Sequence, residues 1–162
     1  MPLTELALHL PNRPGQLVRV ARILAEGEIN VAAISVDSTA KSGSVRMVVS
    51  DPTRALELLT KAGYHVRSDE LLAVHLEDRA GSFLRVLDVL AQAKVNVQSV
   101  AILVVREGGQ ALVALGVDDS KRAQRHLTQS GFLSPTAERL VSNADLLAAR
   151  PTLPSESVGL HL

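Results

Sequence analysis

The feature that most constrains the fold of this chain is an internal repeat. Residues 9–36 read HLPNRPGQLVRVARILAEGEINVAAISV, and residues 75–102 read HLEDRAGSFLRVLDVLAQAKVNVQSVAI. About ten of the roughly 28 aligned positions are identical, among them Gly15 with Gly81. Self-similarity at a fixed period means that one structural unit is written twice. We therefore predict two similar domains of about 65–70 residues each.

The 162 residues divide accordingly into a first domain over 1–69, a second over 70–142 and a C-terminal extension over 143–162. The Pro, Ser and Gly content of the extension predicts that it is partly mobile. Each domain is close to the lower size limit for an independent core, so we expect the two to share buried surface. A hydrophobic content of 46% is typical of a folded globular protein.

Charge and residue usage argue against several classes of protein. Seventeen Lys and Arg balance seventeen Asp and Glu, which disfavours a general nucleic-acid binder or a membrane-surface protein. The chain has no cysteine, so disulfides, thiolate nucleophiles and cysteine metal sites are excluded. No signal-like segment opens the sequence, and no apolar run approaches the ~18 residues that span a bilayer. We expect a soluble, cytoplasmic protein.

Hydrophobic periodicity predicts the same order of elements in both domains. Strands are indicated by apolar residues at every second position, as at Leu6, Leu8 and Leu10. The first helix is indicated by apolar residues at helical spacing: Leu17, Val20, Ala21, Leu24 and Ala25. The first domain is predicted to contain strands near 6–10, 31–36, 45–49 and 64–67, and helices over 16–27 and 52–63. The second is predicted to contain strands near 71–76, 97–105, 111–117 and 138–142, and helices over 81–93 and 120–130.

This order of elements predicts the fold class. The β-α-β-β-α-β order is that of the ferredoxin-like arrangement, so we expect an α+β protein of two such repeats, with antiparallel sheets and helices on one face. Residues 102–105 and 112–115 are continuously apolar, so both faces of those strands require burial. A second copy of the protein is the expected cover for the other face, with the C-terminal segment as the alternative. We therefore predict a homodimer.

The loop before the first helix of each domain, 12–15 and 78–81, is a candidate anion site. A helix N-terminus presents free backbone N–H groups and a positive dipole end, which suit the carboxylate of an amino acid. The same residues also suit a tight strand–helix turn capped by Asn12 or Asp78.

Two further pairs of residues have both a binding and a structural interpretation. The side-chain amides of Asn30 and Asn96 can pair with both ends of a zwitterion, but Asn after a helix is often only a left-handed cap residue. Arg13 and Arg79 can bind a carboxylate with two hydrogen bonds, although loop arginines are usually solvated.

Metal binding, catalysis and RNA binding find little support in the residues. Alternation along the strands places His9 and His75 on the face away from the helices. No carboxylate recurs at ligand spacing beside them, so we expect no metal site and no cofactor. No phosphate-binding loop or hydrolase signature is present, which predicts that the protein is not an enzyme. RNA-binding domains of this topology place aromatic residues on the central strands. The aromatic residues Phe83, Phe132 and Tyr64 lie outside those strands.

The residues Asn12-Arg13-Pro14-Gly15-Gln16-Leu17, with Ile29-Asn30-Val31, resemble the ACT domain, a small-molecule regulatory module of amino-acid metabolism. Asp78-Arg79-Ala80-Gly81, with Val95-Asn96-Val97, looks like a second copy. The chain is similar to small bacterial tandem-ACT proteins without a catalytic domain, over about residues 4–142. The resemblance implies the βαββαβ fold, side-by-side pairing of domains through their sheets, and amino-acid binding at the domain interface.

The resemblance also implies which residues contact the ligand. Carried onto this chain, these are Asn12, Arg13, Pro14, Gly15, Leu17, Asn30 and Val31 in the first repeat, and Asp78, Arg79, Ala80, Gly81, Phe83, Asn96 and Val97 in the second. The chain departs from the family pattern at Ala80, where proline is usual, and at Glu28 and Lys94, where glycine usually ends the helix. We therefore expect a non-catalytic amino-acid-binding regulatory or sensor protein. The alternatives are a regulatory subunit of an amino-acid biosynthetic enzyme and a ligand-free structural dimerisation module.

Overall fold

A computed structural model describes residues 3–39, 41–77, 79–106 and 110–133 of the chain. The predicted strand at 138–142 and the extension at 143–162 lie outside these residues. The elements in chain order are β1 (Leu3–Pro11), α1 (Gln16–Glu26), β2 (Val31–Ser38), β3 (Ser42–Val49), α2 (Pro52–Lys61), β4 (Val66–Glu77), α3 (Ser82–Gln92), β5 (Val97–Arg106), β6 (Gln110–Val117) and α4 (Ser120–Gln129).

The strands form one antiparallel sheet in the order β2-β3-β1-β4-β6-β5, in which β4 belongs to both repeats. Its first half, Val66–Leu71, pairs with β1, and its second half, Leu72–Glu77, pairs with β6. The prediction of two separate strands at 64–67 and 71–76 is therefore wrong. The polar residues 68–70 resemble a loop in sequence, but each pairs with a residue of β1, which satisfies their backbone hydrogen bonds. The predicted boundary between residues 69 and 70 falls within this strand.

The helices cover one face of each repeat, which confirms the predicted α+β fold. α1 and α2 bury Val20, Leu24, Ala55 and Leu59 against the alternating leucines of β1, and α3 and α4 form the equivalent core in the second repeat. The buried stripe of α1 is narrower than predicted, because Leu17, Ala21 and Ala25 are exposed. None of the helices in the described part of the chain is both long and apolar enough to cross a membrane.

A third cluster of buried residues lies on the helix-free faces of the two repeats. It contains Leu3 and Val48 from the first repeat, and Leu103, Leu112 and Ala114 from the second. The second repeat's helix-free face is thus covered by the first repeat of the same chain. We expected a second copy of the protein, or alternatively the C-terminal segment, to cover this face, and that prediction is wrong for these residues. The physical reason is that each small repeat leaves one sheet face without helices, and packing these faces together buries both.

The two end strands of the sheet, β2 and β5, retain exposed apolar side chains. Ile34 and Val36 on β2 and Val100 and Ile102 on β5 are all about half exposed or more, and Ile102 reaches 67%. These side chains lie on the helix-bearing face, since Val36 pairs with buried Val45 and the others pair with equally buried core residues. The helices do not extend over these edges.

Candidate functional site

The turn before α1 and the turn before α3 have the same unusual backbone. Gly15 and Gly81 adopt φ values of 85° and 88°, in the left-handed region that glycine enters without strain. Neither helix has a side-chain cap, and neither has an acidic residue in its first turn. The positive end of each helix is therefore not neutralised by its own side chains, which suits an anionic ligand.

Asn12 stabilises the first turn from outside the helix. Its backbone N–H donates to the carbonyl oxygen of Lys41 at 3.2 Å, and its side-chain amide donates to that of Thr39 at 2.8 Å. Both acceptors lie in the connection between β2 and β3. Asn12 therefore does not cap α1, and that structural interpretation of its role is wrong. The equivalent residue, Asp78, lies outside the described residues.

At the second turn, the start of α3 borders an apolar pocket of about 180 Å³. Phe83 lines it together with Val100 and Ile102 of the sheet edge. Its remaining lining residues are Leu76, Glu77, Arg79, Ser82, Ala111 and Val113. Ligand pockets typically combine apolar walls with a few polar groups that fix orientation. Of the predicted contacts, Arg79 and Phe83 reach this pocket.

Ser82, the first residue of α3, is the polar group of most interest in this pocket. Its side chain is buried, with the residue only 3% exposed, and its hydroxyl has no hydrogen-bond partner in the described part of the chain. A buried hydroxyl without a partner costs about 1–3 kcal/mol, so such a group at a pocket wall points to a ligand. The sequence analysis missed Ser82. The sequence did carry a signal for it: the position equivalent to Gln16 of the first repeat is occupied in the second repeat by a small hydroxyl residue.

The other predicted loop contacts are exposed. Arg13, Pro14 and Ala80 lie at the surface, and Leu17 on α1 is 40% exposed. Arg79 forms an ion pair with Glu77, and both side chains are more than half exposed. Such a pair contributes little to stability, so the Arg79 guanidinium can exchange it for a ligand carboxylate.

Asn30 and Asn96 lie at the far ends of α1 and α3 from these turns. Each helix has 11 residues, so roughly 16 Å separates the predicted loop contacts from the predicted asparagine contacts of the same repeat. The structure therefore does not bring the two groups together within one repeat. The adjacent Val31 and Val97, both half-buried at the starts of β2 and β5, lie at the same far ends.

The asparagines are not left-handed cap residues either. That conformation belongs to Glu28 and Lys94, with φ values of 57° and 55°. Instead, the backbone N–H of Asn30 donates to the Ser50 hydroxyl, and the Asn30 carbonyl oxygen accepts from the Ser50 N–H. Asn96 pairs in the same way with the side-chain carboxylate and the backbone N–H of Asp118. Both asparagines are exposed.

The repeat places His9 and His75 at equivalent positions of β1 and β4. His9 is exposed and His75 is half-buried, and both lie on the helix-free face, as predicted from the alternation of their strands. Within residues 3–39, 41–77, 79–106 and 110–133, no group of three or more His, Cys, Asp or Glu is arranged to hold a metal ion.

Nearly the whole chain is similar to a known family and to known folds. The model of the ACT domain pair matches residues 1–140. The fold is similar to that of a protein from Bacteroides thetaiotaomicron, with a TM-score of 0.77 and 23% identity over 90% of this chain and 96% of that one. It is also similar to the ligand-free regulatory subunit of aspartate kinase from Thermus thermophilus, with a TM-score of 0.57 and 17% identity over 80% of this chain and 93% of that one. No curated protein matches at a significant level.

Proposed function

Because the chain belongs to the family of ACT domain pairs, we propose that it is a non-catalytic regulatory protein that binds a free amino acid at the start of α3. The observation that carries the proposal is the buried, unpartnered hydroxyl of Ser82 at the wall of an apolar pocket. A ligand that accepts a hydrogen bond from this hydroxyl removes the cost of burying it.

The pocket fits the chemistry of an amino acid with an apolar side chain. The ligand carboxylate accepts from the Ser82 hydroxyl at the positive end of α3, and Arg79 lies close enough to line the same pocket. The ligand side chain occupies the space between Leu76 and Val113, both nearly fully buried. A volume of about 180 Å³ holds roughly six water molecules at ~30 Å³ each, which is the size of a small amino acid.

A second copy of the chain completes this site in the proposed assembly. β5 is an end strand, so its free edge can pair with β5 of another copy. Antiparallel pairing places the start of one β5 opposite the end of the other. The partner subunit's Asn96, just before its β5, would then approach the turn at Gly81, where its amide can bind the ligand. The same pairing would cover Val100 and Ile102.

The two alternatives make different predictions. Similarity of fold to a regulatory subunit of aspartate kinase supports a role as a subunit of a biosynthetic enzyme, which predicts co-purification with a catalytic chain. A structural dimerisation module predicts dimers that do not respond to any amino acid.

A ligand screen with one matched pair of variants tests the proposal. Thermal unfolding of the purified protein is measured with each of the twenty amino acids at millimolar concentration, and Kd is then measured by calorimetry. Ligand at about 100 times its Kd stabilises by ~2.7 kcal/mol, a rise in Tm of several degrees. Ser82→Ala is expected to weaken binding at least tenfold, because hydrogen bonds to charged groups are worth about 1.5–3 kcal/mol.

The same variant is expected to stabilise the ligand-free protein slightly, since it removes an unpartnered buried hydroxyl. Gln16→Ala, at the equivalent position of the first repeat, is the control and should leave binding unchanged. Unchanged affinity in Ser82→Ala, or a flat response to all twenty amino acids, would rule the proposed site out.

A further inference from the structure

A basic pocket of about 540 Å³ lies on the helix-free face of the first repeat. All of its lining residues belong to that repeat, and none of the described residues that line it is acidic. Four of its side chains carry or can take a positive charge: His9, Arg46, His65 and Arg67. Because the chain as a whole has equal numbers of basic and acidic residues, this concentration of basic groups is a local feature.

The register of three neighbouring strands brings the two arginines together. Ala7 of β1 lies opposite Arg46 of β3 on one side and opposite Arg67 of β4 on the other. Residues directly opposite each other in antiparallel strands share a face of the sheet, and neighbouring strands are about 4.8 Å apart. The two arginines therefore flank Ala7, whose small side chain lines the pocket and leaves the space between the guanidinium groups open.

A second row of hydrogen-bonding side chains lies beside the arginines. Ser44 is opposite His9 in the register of β1 and β3. Leu8 pairs with Val66, so the same register continued by one residue places His65 on the other side of His9. A hydroxyl and two imidazoles thus line the pocket next to the two guanidinium groups.

Two carboxylates lie on the other side of the arginines and do not line the pocket. Asp69 accepts from the Nε atom of Arg67 at 2.8 Å, and a Glu5 oxygen lies 3.9 Å from a terminal nitrogen of Arg46. The Arg67 pair is exposed and contributes little, and burial raises the pKa of Glu5, which disfavours its charged form. Each guanidinium has five N–H donors, so both arginines retain donors for another anion.

The second repeat shows that the fold does not require basic or polar residues at these positions. Ala73, the equivalent of Ala7, lies opposite an alanine of β6 instead of an arginine. At the positions of Arg46, Ser44 and His65, the second repeat has buried apolar residues: Ala114, Leu112 and Leu133. The basic pocket is therefore specific to the first repeat and is not a by-product of the repeated fold.

A neighbouring pocket of about 450 Å³ continues from the basic pocket. The two pockets share His9, Tyr64 and His65, and the neighbouring pocket adds Gln16 and Arg19. An anion held by the arginines of the basic pocket can therefore carry an organic group that extends past Tyr64.

We propose that the basic pocket binds a phosphoryl group between Arg46 and Arg67, either as inorganic phosphate or as a phosphate monoester. The planar guanidinium groups match the oxygens of a phosphate, and the Ser44 hydroxyl offers a further donor. The organic group of a monoester would occupy the neighbouring pocket. The site goes beyond the proposed function and does not depend on the pocket at Ser82.

An NMR titration of the full chain at pH 7 and constant ionic strength tests the site. Inorganic phosphate and glycerol 3-phosphate are titrated separately, with sodium acetate and glycerol as controls. The expected result is a saturable shift of the Ala7, Ser44 and Val66 amide resonances with a phosphate compound, and binding of both controls that is weaker by about tenfold or more. Tighter binding of glycerol 3-phosphate would identify a monoester as the ligand, and tighter binding of inorganic phosphate would identify the free anion.

Two variants and one control assign the binding to this pocket. Arg67→Gln should weaken phosphate binding by about tenfold, because charge-assisted hydrogen bonds are strong, and its exposed side chain makes the variant compatible with folding. Ala7→Leu keeps every charge but fills the space between the arginines, so it should also weaken binding. Arg22→Gln removes an exposed arginine of α1 and should leave binding unchanged.

Three outcomes would overturn the site. Shifts confined to Gly15 and Gly81 would show that phosphate binds only at the helix N-termini. Acetate that binds as tightly as phosphate, or Arg67→Gln that binds as tightly as Arg22→Gln, would show that the arginines form no phosphate site. Ser82→Ala should leave phosphate binding intact, so failure of this site and failure of the site at α3 are distinguishable.

Discussion

Replacing Glu28 or Lys94 by glycine is expected to stabilise the protein. Both residues follow a helix with φ near 55°, a conformation that costs a residue with a Cβ roughly 1–2 kcal/mol. Glycine adopts it without this cost. However, glycine also gives the unfolded chain more conformational freedom, which lowers the free energy of unfolding by about 0.4–1 kcal/mol. The backbone hydrogen bonds from these residues to Ala25 and Ala91, each 3.0 Å long, do not involve the side chains and are retained. The net gain is about 0.5–1 kcal/mol for each substitution.

Urea unfolding measures this gain directly. The two positions lie in different repeats, so the double variant should gain about 1–2 kcal/mol, which for a chain of this size raises Tm by roughly 2–8 °C. Glu26→Gly is the matched control, because Glu26 is exposed in the last turn of α1 with an ordinary helical backbone. The Glu26→Gly substitution should lower the free energy of unfolding by about 0.5–1 kcal/mol. If Glu28→Gly destabilises the protein as Glu26→Gly does, the reasoning from left-handed strain is refuted.

Three further predictions test other features of the structure. Gly116→Ala would place a Cβ over the Ser99 hydroxyl, so we expect the free energy of unfolding in urea to fall by about 1–3 kcal/mol. Adding Ser99→Ala should partly restore it. An unchanged urea midpoint would contradict this packing. Because the pKa of Glu5 is raised in the folded chain, stability should fall as pH rises from the usual value of 4.5 through the folded value. Glu5→Gln should remove that fall, and a curve of unchanged shape would exclude Glu5 as its source. Asp51→Ala and Asp119→Ala should each lower the free energy of unfolding by about 1 kcal/mol, because both side chains accept from a backbone N–H of the helix at 2.9 Å. A loss at only one position would show that the repeats are not equivalent there.

The two repeats share a backbone plan but differ where ligand contacts are proposed. Gln16 and Pro14 of the first repeat correspond to Ser82 and Ala80 of the second. The small hydroxyl side chain of Ser82 is buried beside the pocket, whereas Gln16 is half-buried. We therefore expect the second repeat to bind the ligand more tightly, a difference that calorimetry of Ser82→Ala and Gln16→Ala measures.

Most of the secondary structure followed from the sequence, because it depends on residues close together in the chain. The repeat predicted the shared order of elements, and the predicted start of α2 at residue 52 is confirmed, where the Asp51 side chain accepts from the Arg54 N–H. The glycines before α1 and α3 marked the tight turns, and both have positive φ. The predicted placement of His9 and His75 on the helix-free face also holds, since strand alternation is a local property.

The packing of the two repeats and both proposed sites depended on tertiary structure. Glu5 alternates with leucines and so resembles a solvent-facing residue of β1, yet Ser99, 94 positions away, helps to bury it. The pocket beside Ser82 likewise combines residues from three strands. A local pattern indicates which face of a strand or helix a residue occupies. Whether that face meets water or another part of the protein is determined by contacts between distant segments, and a single sequence carries no periodic signal for those contacts.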